Sequence, residues 1–269
     1  MVTGLVSIIM GIYNCEASLS KAIDSILGQS YTNWELIMCD DGSSDGTFEV
    51  AASYADKYPN QIILLKNEQN SGLAYTLNHC LRHARGEFVA RMDGDDESYP
   101  DRLEKQVQFL RDHPEYHLVG TQIQLFNNDQ DSGKMTAPQF PDKYIFRKQN
   151  PFLHATIMTY KDVYDKLGGY TVSDRTRRSQ DRELFFRFYH MGFRGANLQE
   201  TLYYGCDDMS AVKRRTFKVR WNSFVISCNG YRMLGLPKIW IVEGFLKVIF
   251  KSIVPYKLVY YYRQMKKSL

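Results

Sequence analysis

The first 125 residues alternate short β-rich apolar runs with amphipathic runs, and this alternation leaves the chain few possible architectures. Strands are predicted over Leu5–Ile12, Glu35–Cys39, Gln61–Lys66, Glu87–Met92 and His117–Phe126. Helices are predicted between them, near Ser18–Leu27, Thr47–Tyr58, Leu73–His83 and Asp101–Asp112. Strands separated by crossover helices form a largely parallel sheet. We therefore expect an α/β fold with a mixed, mainly parallel sheet flanked by helices.

The pattern changes after Phe126. The segment NNDQDSGK reads as a polar turn, an irregular stretch contains Pro138, Pro141 and Pro151, and an apolar run covers Ala155–Tyr160. A helix over Gln180–Met191 and a strand near Leu198–Tyr204 follow, and the chain beyond Ser210 is predicted to be helical, with breaks at Gly230, Pro237 and Pro255. We expect a sheet domain of residues 1–210 with a helical appendage of residues 211–269.

Charge is divided unevenly between these two parts. The chain carries a formal net charge of +4, but residues 212–269 hold 13 Lys and Arg against the single acid Glu243, which leaves −8 for residues 1–211. The appendage also contains Trp240, Phe245, Ile249, Phe250, Val254, Tyr260 and Tyr261. A basic amphipathic helix of this composition lies in the headgroup layer of anionic membranes.

Docking of residues 211–269 on an anionic membrane is therefore one hypothesis, and a helical hairpin packed on the domain or on a second subunit, with Lys and Arg on its solvated side, is the other. Nucleic-acid binding is not expected, because no binding motif accompanies the charge and the sheet domain is acidic. No charge-free run is long enough to span a bilayer, and the apolar stretch Leu5–Ile12 lacks the flanks of a signal peptide. The five scattered cysteines form no metal or disulfide pattern, so we expect reduced packing residues in a cytoplasmic protein.

Three carboxylates lie within four positions in RMDGDD, residues 91–96, directly after a predicted strand. Such groups repel one another, and a hard divalent cation among them relieves the repulsion. A solvated acidic turn is the alternative. The position favours metal binding, because open α/β sheets bind ligands at the carboxyl ends of their strands.

Two further strand ends carry polar residues. The turn CDDGSSDG, residues 39–46, places Asp40 and Asp41 at the same sheet edge, although Asp and Ser beside Gly are also ordinary turn residues. Tyr13 ends the first strand, where an aromatic ring either stacks on a base or forms a wall of the core. In SQDRELFFRF, residues 179–188, Asp181 is either a general base or a favourable charge in the first turn of a helix.

These elements, in this order, resemble the family 2 glycosyltransferases of the GT-A (Rossmann-like) fold over about residues 5–210. The resemblance is carried by VSIIMGIYN, SILGQSY, NWELIMCDDGSSDGT, NEQNSGLAYTLNHCL, ARGEFVARMDGDD, GGY and QDRELFFR. The stretches VARMDGDD, PDRLEKQ, NPFLHATIM and ANLQETL look like the branch that builds bacterial exopolysaccharide, capsule and lipopolysaccharide. The resemblance implies a nucleotide-sugar half of about residues 1–125, an acceptor half of about residues 126–210 and a membrane-proximal appendage.

The resemblance also implies roles for matching positions. Tyr13 and Asp41 would contact the base, most often uracil, Asp93 would lie near the ribose, and Asn78 and Arg91 would line the donor side. Asp95, with Asp93 as a second candidate, would hold Mn²⁺ or Mg²⁺ against the diphosphate. Asp181 would be the catalytic base of an inverting transfer to a polyprenyl-linked or oligosaccharide acceptor at the inner face of the cytoplasmic membrane. His154 is either an acceptor-site residue or a core histidine.

Two positions depart from the family pattern. Gln180-Asp181 stands where the family has an acidic pair, and Tyr204-Gly205-Cys206-Asp207 replaces a stretch that often contributes a phosphate contact. A nucleotidyltransferase acting on sugar phosphates is the alternative enzyme, but the segment Tyr13-Asn14-Cys15-Glu16 is not the Gly-rich basic loop that such an enzyme needs. A non-catalytic binding module is the remaining alternative.

Overall fold

The computed structural model describes residues 1–127, 130–207 and 216–253. Within these ranges nine strands form one mixed sheet: β1 Val2–Ile12, β2 Trp34–Asp40, β3 Ile62–Lys66, β4 Gly86–Arg91, β5 Glu97–Ser98, β6 Leu118–Asn127, β7 Gln130–Met135, β8 Met158–Tyr160 and β9 Gly195–Cys206. The helices are α1 Glu16–Leu27, α2 Thr47–Lys57, α3 Leu73–His83, α4 Arg102–Asp112, α5 Lys161–Leu167, α6 Gln180–His190, α7 Phe217–Met233 and α8 Ile239–Ile253. Short 3-10 helices cover Lys143–Arg147 and His154–Thr156.

The strand order is β3-β2-β1-β4-β8-β6-β9-β5, and β7 pairs with β6. Strands β1 to β4 are mutually parallel, whereas β8 runs antiparallel to both of its neighbours, β4 and β6. Strand β9 lies parallel to β6, and β5 is antiparallel to β9. The expected mixed, mainly parallel sheet is confirmed in the first half of the chain, and the second half extends it with antiparallel pairs.

Strand β1 is central because both of its faces are buried. Its residues 4–10 are all buried, and successive side chains point to opposite faces, as in a parallel strand covered by helices on both sides. Ile8 and Met10 join a core with helices α1, α2 and α4, and Ile9 joins a second core with α3. The carboxyl ends of β1, β2 and β4 therefore meet at one edge of a rigid sheet.

The appendage shares a third core with the sheet domain. Ile226, Tyr231, Leu234, Leu236 and Trp240 pack with Phe146, Phe152, Phe185, Phe186 and Phe188. The sequence analysis groups Trp240 with the membrane-facing residues, but its side chain is only 8% exposed and packs against Tyr231. Helix α7 and the start of α8 thus stabilise the same core that holds α6.

Gly230 does not interrupt the helix, contrary to the sequence prediction, because α7 continues to Met233. A Cβ atom at Gly230 would lie 2.2 Å from the ring of Phe186 on α6. The glycine therefore serves close helix packing and not helix termination. The break at Pro237 is confirmed, since it lies between α7 and α8, and Pro255 lies outside the described residues.

Three elements were not expected from the sequence. The segment NNDQDSGK is not simply a turn, because β7 begins at Gln130 and pairs with β6. Helix α5 has only seven residues, and Gly168, which follows it, caps the helix with a left-handed φ of 70°. Strand β5 has two residues. Each is too short or too polar to give a periodic signal.

We expect Gly230→Ala to lower the free energy of unfolding by about 1–3 kcal/mol, because the added methyl group overpacks the α6–α7 contact. This loss would exceed the gain of about 1 kcal/mol in helix propensity that alanine brings. Chemical denaturation measures the net change in the free energy of unfolding. Gly244→Ala in α8 is the matched control, since its Cβ would lie 3.2 Å from Phe224 and needs only a small adjustment. Equal stability of the two variants would contradict the packing role.

Candidate active site

The RMDGDD turn brings three carboxylates together at the end of β4. Carboxylate oxygens of Asp93, Asp95 and Asp96 lie within 4.8 Å of one another. Gly94 lets the turn approach β1 closely, since a Cβ there would lie 2.9 Å from Ile12 and 3.1 Å from the sulfur of Cys15. The chain thus forces like charges into one small volume beside the sheet edge.

Asp96 is the buried member of this cluster. Burial, together with the charges of Asp93 and Asp95, raises the pKa of Asp96 to about 8, although the backbone N–H of Cys206 and the hydroxyl of Tyr203 favour its charged form. The Cys206 N–H donates to its carboxylate at 2.7 Å. Oxygen-only ligands that repel one another are the donor set that Mn²⁺ or Mg²⁺ prefers, so the residues fit a hard divalent cation.

Arg91 contacts the cluster through Asp93. Its guanidinium is buried and pairs with Asp93. Burial alone would lower the pKa of Arg91, but the nearby charges, Asp93 foremost, raise it above its ordinary value, so the side chain stays charged. Its Nε is buried without a hydrogen-bond partner. A buried donor of this kind costs free energy unless a ligand satisfies it.

Arg102 and Tyr203 hold the acidic turn in place. Arg102 of α4 is almost fully buried, donates to the carbonyl oxygen of Arg91 at 2.7 Å and lies over the ring of Tyr203. The Tyr203 hydroxyl accepts a hydrogen bond from the Asp93 N–H at 3.1 Å. Strands β4 and β9 and helix α4 therefore hold the carboxylates from three directions.

Asp41 follows β2 and organises the neighbouring loop. One carboxylate oxygen accepts from the Asn67 amide at 2.9 Å and the Ser71 N–H at 2.8 Å, and the other accepts from the Gly72 N–H at 2.8 Å. Gly72, with a φ of 87°, precedes α3. The carboxylate thus shapes the loop that borders the site.

Two adjoining cavities open at this edge of the sheet, and Gly11 and Tyr13 line both. One, of about 850 Å³, contains Asp93 and Asp95 in its wall. The other, of about 650 Å³, contains Asp41, Arg177 and Arg178. Tyr13 is 49% exposed, so its ring is available to a ligand and is not a wall of the core.

Asp181 lies in the first turn of α6 and is partly buried. Its carboxylate accepts a hydrogen bond from the Asn150 amide at 2.7 Å. Burial raises the pKa of Asp181, while the Arg182 N–H and the charges of Arg182 and Arg91 oppose the shift. Arg182 in turn donates to Ser227 of α7 at 2.8 Å and to Asn150 at 3.0 Å. A carboxylate with a raised pKa in this position is suited to accept a proton.

His154 and Asn78 both contact the Gly-Gly-Tyr turn after α5. The ring nitrogen Nε2 of His154 lies 2.9 Å from the Tyr170 hydroxyl, and burial lowers the pKa of His154 well below its ordinary value, so the ring is neutral. The Asn78 side chain donates to the Tyr170 carbonyl and accepts from the Tyr170 N–H, each at 2.8 Å. Asn78 therefore binds protein backbone with both ends of its amide, and its role on the donor side stays a prediction.

Sequence reasoning missed several residues of the site. Asp96 belongs to the acidic motif but is not assigned to the cation from the sequence, whereas its carboxylate lies within 4.8 Å of those of Asp93 and Asp95. Asn150, Tyr203 and Arg102 had no local signal, because their contacts span many residues of sequence. The five cysteines, all among the described residues, form no disulfide, as expected, but Cys206 is exposed and is not a packing residue.

Comparison with known proteins gives a consistent result. Residues 7–219 match the model of glycosyl transferase family 2. EpsE of Bacillus subtilis (strain 168), which is named as a glycosyltransferase, is 49% identical over 232 residues, covering 86% of this chain and 84% of that protein. Escherichia coli WfgD, named as UDP-Glc:alpha-D-GlcNAc-diphosphoundecaprenol beta-1,3-glucosyltransferase, is 40% identical over 135 residues, covering 50% of this chain and 52% of that protein.

A solved structure shares the fold. The crystal structure of S. aureus TarS 1-349 in complex with UDP-GlcNAc matches with a TM-score of 0.65 at 20% identity, covering 85% of this chain and 70% of that one. At this identity the likeness concerns the fold.

We expect Tyr203→Phe to weaken Mn²⁺ binding about 10- to 100-fold, because groups that orient metal ligands typically have effects of this size. The hydroxyl that holds the Asp93 N–H and Asp96 is lost, whereas the ring over Arg102 remains. Mn²⁺ titration followed by electron paramagnetic resonance measures the change. Tyr204→Phe is the control, since its hydroxyl contacts Asp131 at the surface. Equal Mn²⁺ affinity in both variants would show that the Tyr203 hydroxyl does not support the cluster.

Proposed function

Because the chain belongs to glycosyltransferase family 2, we propose that it transfers a sugar from a nucleoside diphosphate donor to a hydroxyl group of a lipid-linked or polysaccharide acceptor, with inversion at the anomeric carbon. The observation that carries this proposal is the meeting of Asp93, Asp95 and Asp96 beside two cavities that share Tyr13. An open α/β sheet binds its ligand at this edge.

The donor would lie across the two cavities. Tyr13 offers an exposed ring for the base, and Asp41 lines the same cavity. A uracil nucleotide is the donor we propose, and the UDP-Glc in the name of WfgD and the UDP-GlcNAc bound to TarS support it. Asp93, Asp95 and Asp96 would hold Mn²⁺ or Mg²⁺, which stabilises negative charge on the departing diphosphate.

Asp181 would accept the proton of the acceptor hydroxyl. As that proton leaves, the hydroxyl oxygen forms a bond to the anomeric carbon, and the bond between that carbon and the diphosphate breaks on the opposite face. The bonding electron pair passes to the phosphate oxygen, so one displacement inverts the centre. Asn150 orients the Asp181 carboxylate, and Arg91, which acts electrostatically on both Asp93 and Asp181, links the two halves of the site.

Membrane docking through residues 211–269 is the second part of the proposal. Helix α8 exposes Ile239, Val242, Phe245, Leu246, Ile249 and Phe250, spaced three and four residues apart on one side of the helix. Of the other apolar residues grouped with this face, Val254, Tyr260 and Tyr261 lie outside the described residues. In the described part of the chain no helix is both long and apolar enough to cross a bilayer. The diphosphoundecaprenol in the name of WfgD supports a lipid-linked acceptor. The cytoplasmic face is the side of the membrane that we propose for it.

We expect Asp95→Asn to abolish the Mn²⁺-dependent thermal shift with UDP-sugars, because a cation-bound donor stabilises only the native state. Asp181→Asn should keep that shift and lower kcat about 10²- to 10⁴-fold, the range of general-base effects. Labelled UDP-sugars would yield free UDP without pyrophosphate. The exposed Asp112→Asn is the control for charge loss. The reverse pattern in the two site variants would overturn both roles.

We expect Leu246→Glu combined with Phe250→Glu to reduce co-sedimentation with anionic liposomes severalfold, since both lipid burial and charge attraction weaken. Point variants are needed because removal of α7 and α8 would expose the third core. The exposed Met135→Glu on β7 is the control. Undiminished co-sedimentation of the α8 variant would show that this face does not contact lipid.

A further inference from the structure

The two cavities are strongly acidic, whereas the diphosphate of a sugar nucleotide is an anion. In the described residues six acids line them, Glu16, Asp41, Asp45, Asp93, Asp95 and Asp174, against two cations, Arg177 and Arg178. A divalent cation (+2) and Arg91 (+1), which pairs with Asp93, would just offset the three carboxylates of the RMDGDD turn (−3) and leave no positive charge over. A doubly negative diphosphate therefore needs positive charge from the protein, and guanidinium groups bind phosphate oxygens in fixed geometry.

The two arginines occupy different places. Arg177 donates to the Asn70 side chain at 3.0 Å, across 107 residues of sequence, and so joins the acceptor half to the loop that Asp41 organises. This end of the cavity holds Asp41, which we assign to the base. Arg178 follows in the chain, then Gln180, which lines the same cavity, and then Asp181. Along the sequence, Arg178 thus lies between Arg177, beside the proposed nucleoside end of the cavity, and Asp181, the proposed base at the reacting carbon.

The backbone at Arg178 is held in an unusual conformation. Its φ is 66°, in the left-handed region that residues other than glycine, asparagine and aspartate rarely adopt. Such strain persists where the surrounding structure imposes it, and it is concentrated at binding sites. The next residue, Ser179, is buried and precedes α6, so the backbone of Arg178 adjoins the start of the helix that carries Asp181.

We propose that Arg178 binds the diphosphate of the donor, and this inference rests on the proposed glycosyl transfer. Arg178 would supply the cationic contact with phosphate that the segment Tyr204-Gly205-Cys206-Asp207 lacks. Asp181 and Arg178 then act from one helix start, with Arg178 on the leaving group and Asp181 on the acceptor. Arg178 would therefore make the protein bind a nucleoside diphosphate more tightly than the monophosphate or the free nucleoside.

The test compares nucleotide and nucleoside binding. UDP, GDP and dTDP are titrated into the full chain with saturating Mn²⁺ by calorimetry, and the nucleoside of the preferred ligand is measured by ligand-observed NMR. Arg178→Asn and Arg178→Gly both accept the left-handed backbone, so the fold is retained while the guanidinium is removed. We expect about 10- to 100-fold weaker binding of the diphosphate, as for a lost charge-assisted hydrogen bond, and unchanged binding of the nucleoside.

Arg175→Asn is the matched control, because Arg175 is exposed in the same loop and is not part of either cavity wall. Arg178→Lys should recover part of the affinity. Unchanged diphosphate binding in the Arg178 variants, or equal loss of diphosphate and nucleoside, would overturn the proposal while leaving glycosyl transfer intact. If the wild-type chain binds none of the three nucleoside diphosphates, the proposed function itself fails.

Discussion

The structure depends on the electrostatic balance between a buried arginine and the carboxylates that follow it. Arg91 ends β4, pairs with Asp93 and remains charged in a buried position. Arg102 fixes the Arg91 carbonyl, and Tyr203 fixes the Asp93 N–H, so α4 and β9 close around the end of β4. A charged cluster is thus built into the sheet, where a flexible loop could not hold it. The rest of the site is placed relative to this cluster.

The first half of the fold could be predicted because its elements are long and periodic. Strand β1 is buried on both faces, and its apolar run is continuous in the sequence. The second half could not be predicted equally well, since polar residues form β7 and only seven residues form α5. Gly230 misled the prediction for a physical reason, because tight packing against Phe186 requires the same residue type as a helix end.

Only some residues of the candidate site could likewise be predicted from the sequence. The sequence predicts Asp41, Asp93, Asp95 and Tyr13 as site residues because each lies within four residues of the end of a strand at the edge where such sheets bind ligands. It could not identify Asn150 as the partner of Asp181 or Tyr203 as the partner of Asp93, because these contacts join distant segments. Such partners determine whether a carboxylate accepts a proton or binds a cation, and the sequence motif alone does not distinguish these two roles.

Arg182 adjoins Asp181 and binds Ser227 and Tyr231 on α7, while Gly230 seats α7 directly on Phe186 of α6. Packed side chains of α6, α7 and α8 therefore connect Asp181, the proposed base, to the apolar surface of α8. If that surface rests on lipid, these contacts fix the distance between the reacting centre and the bilayer. Acceptors would then be selected by how far their hydroxyl projects from the headgroups.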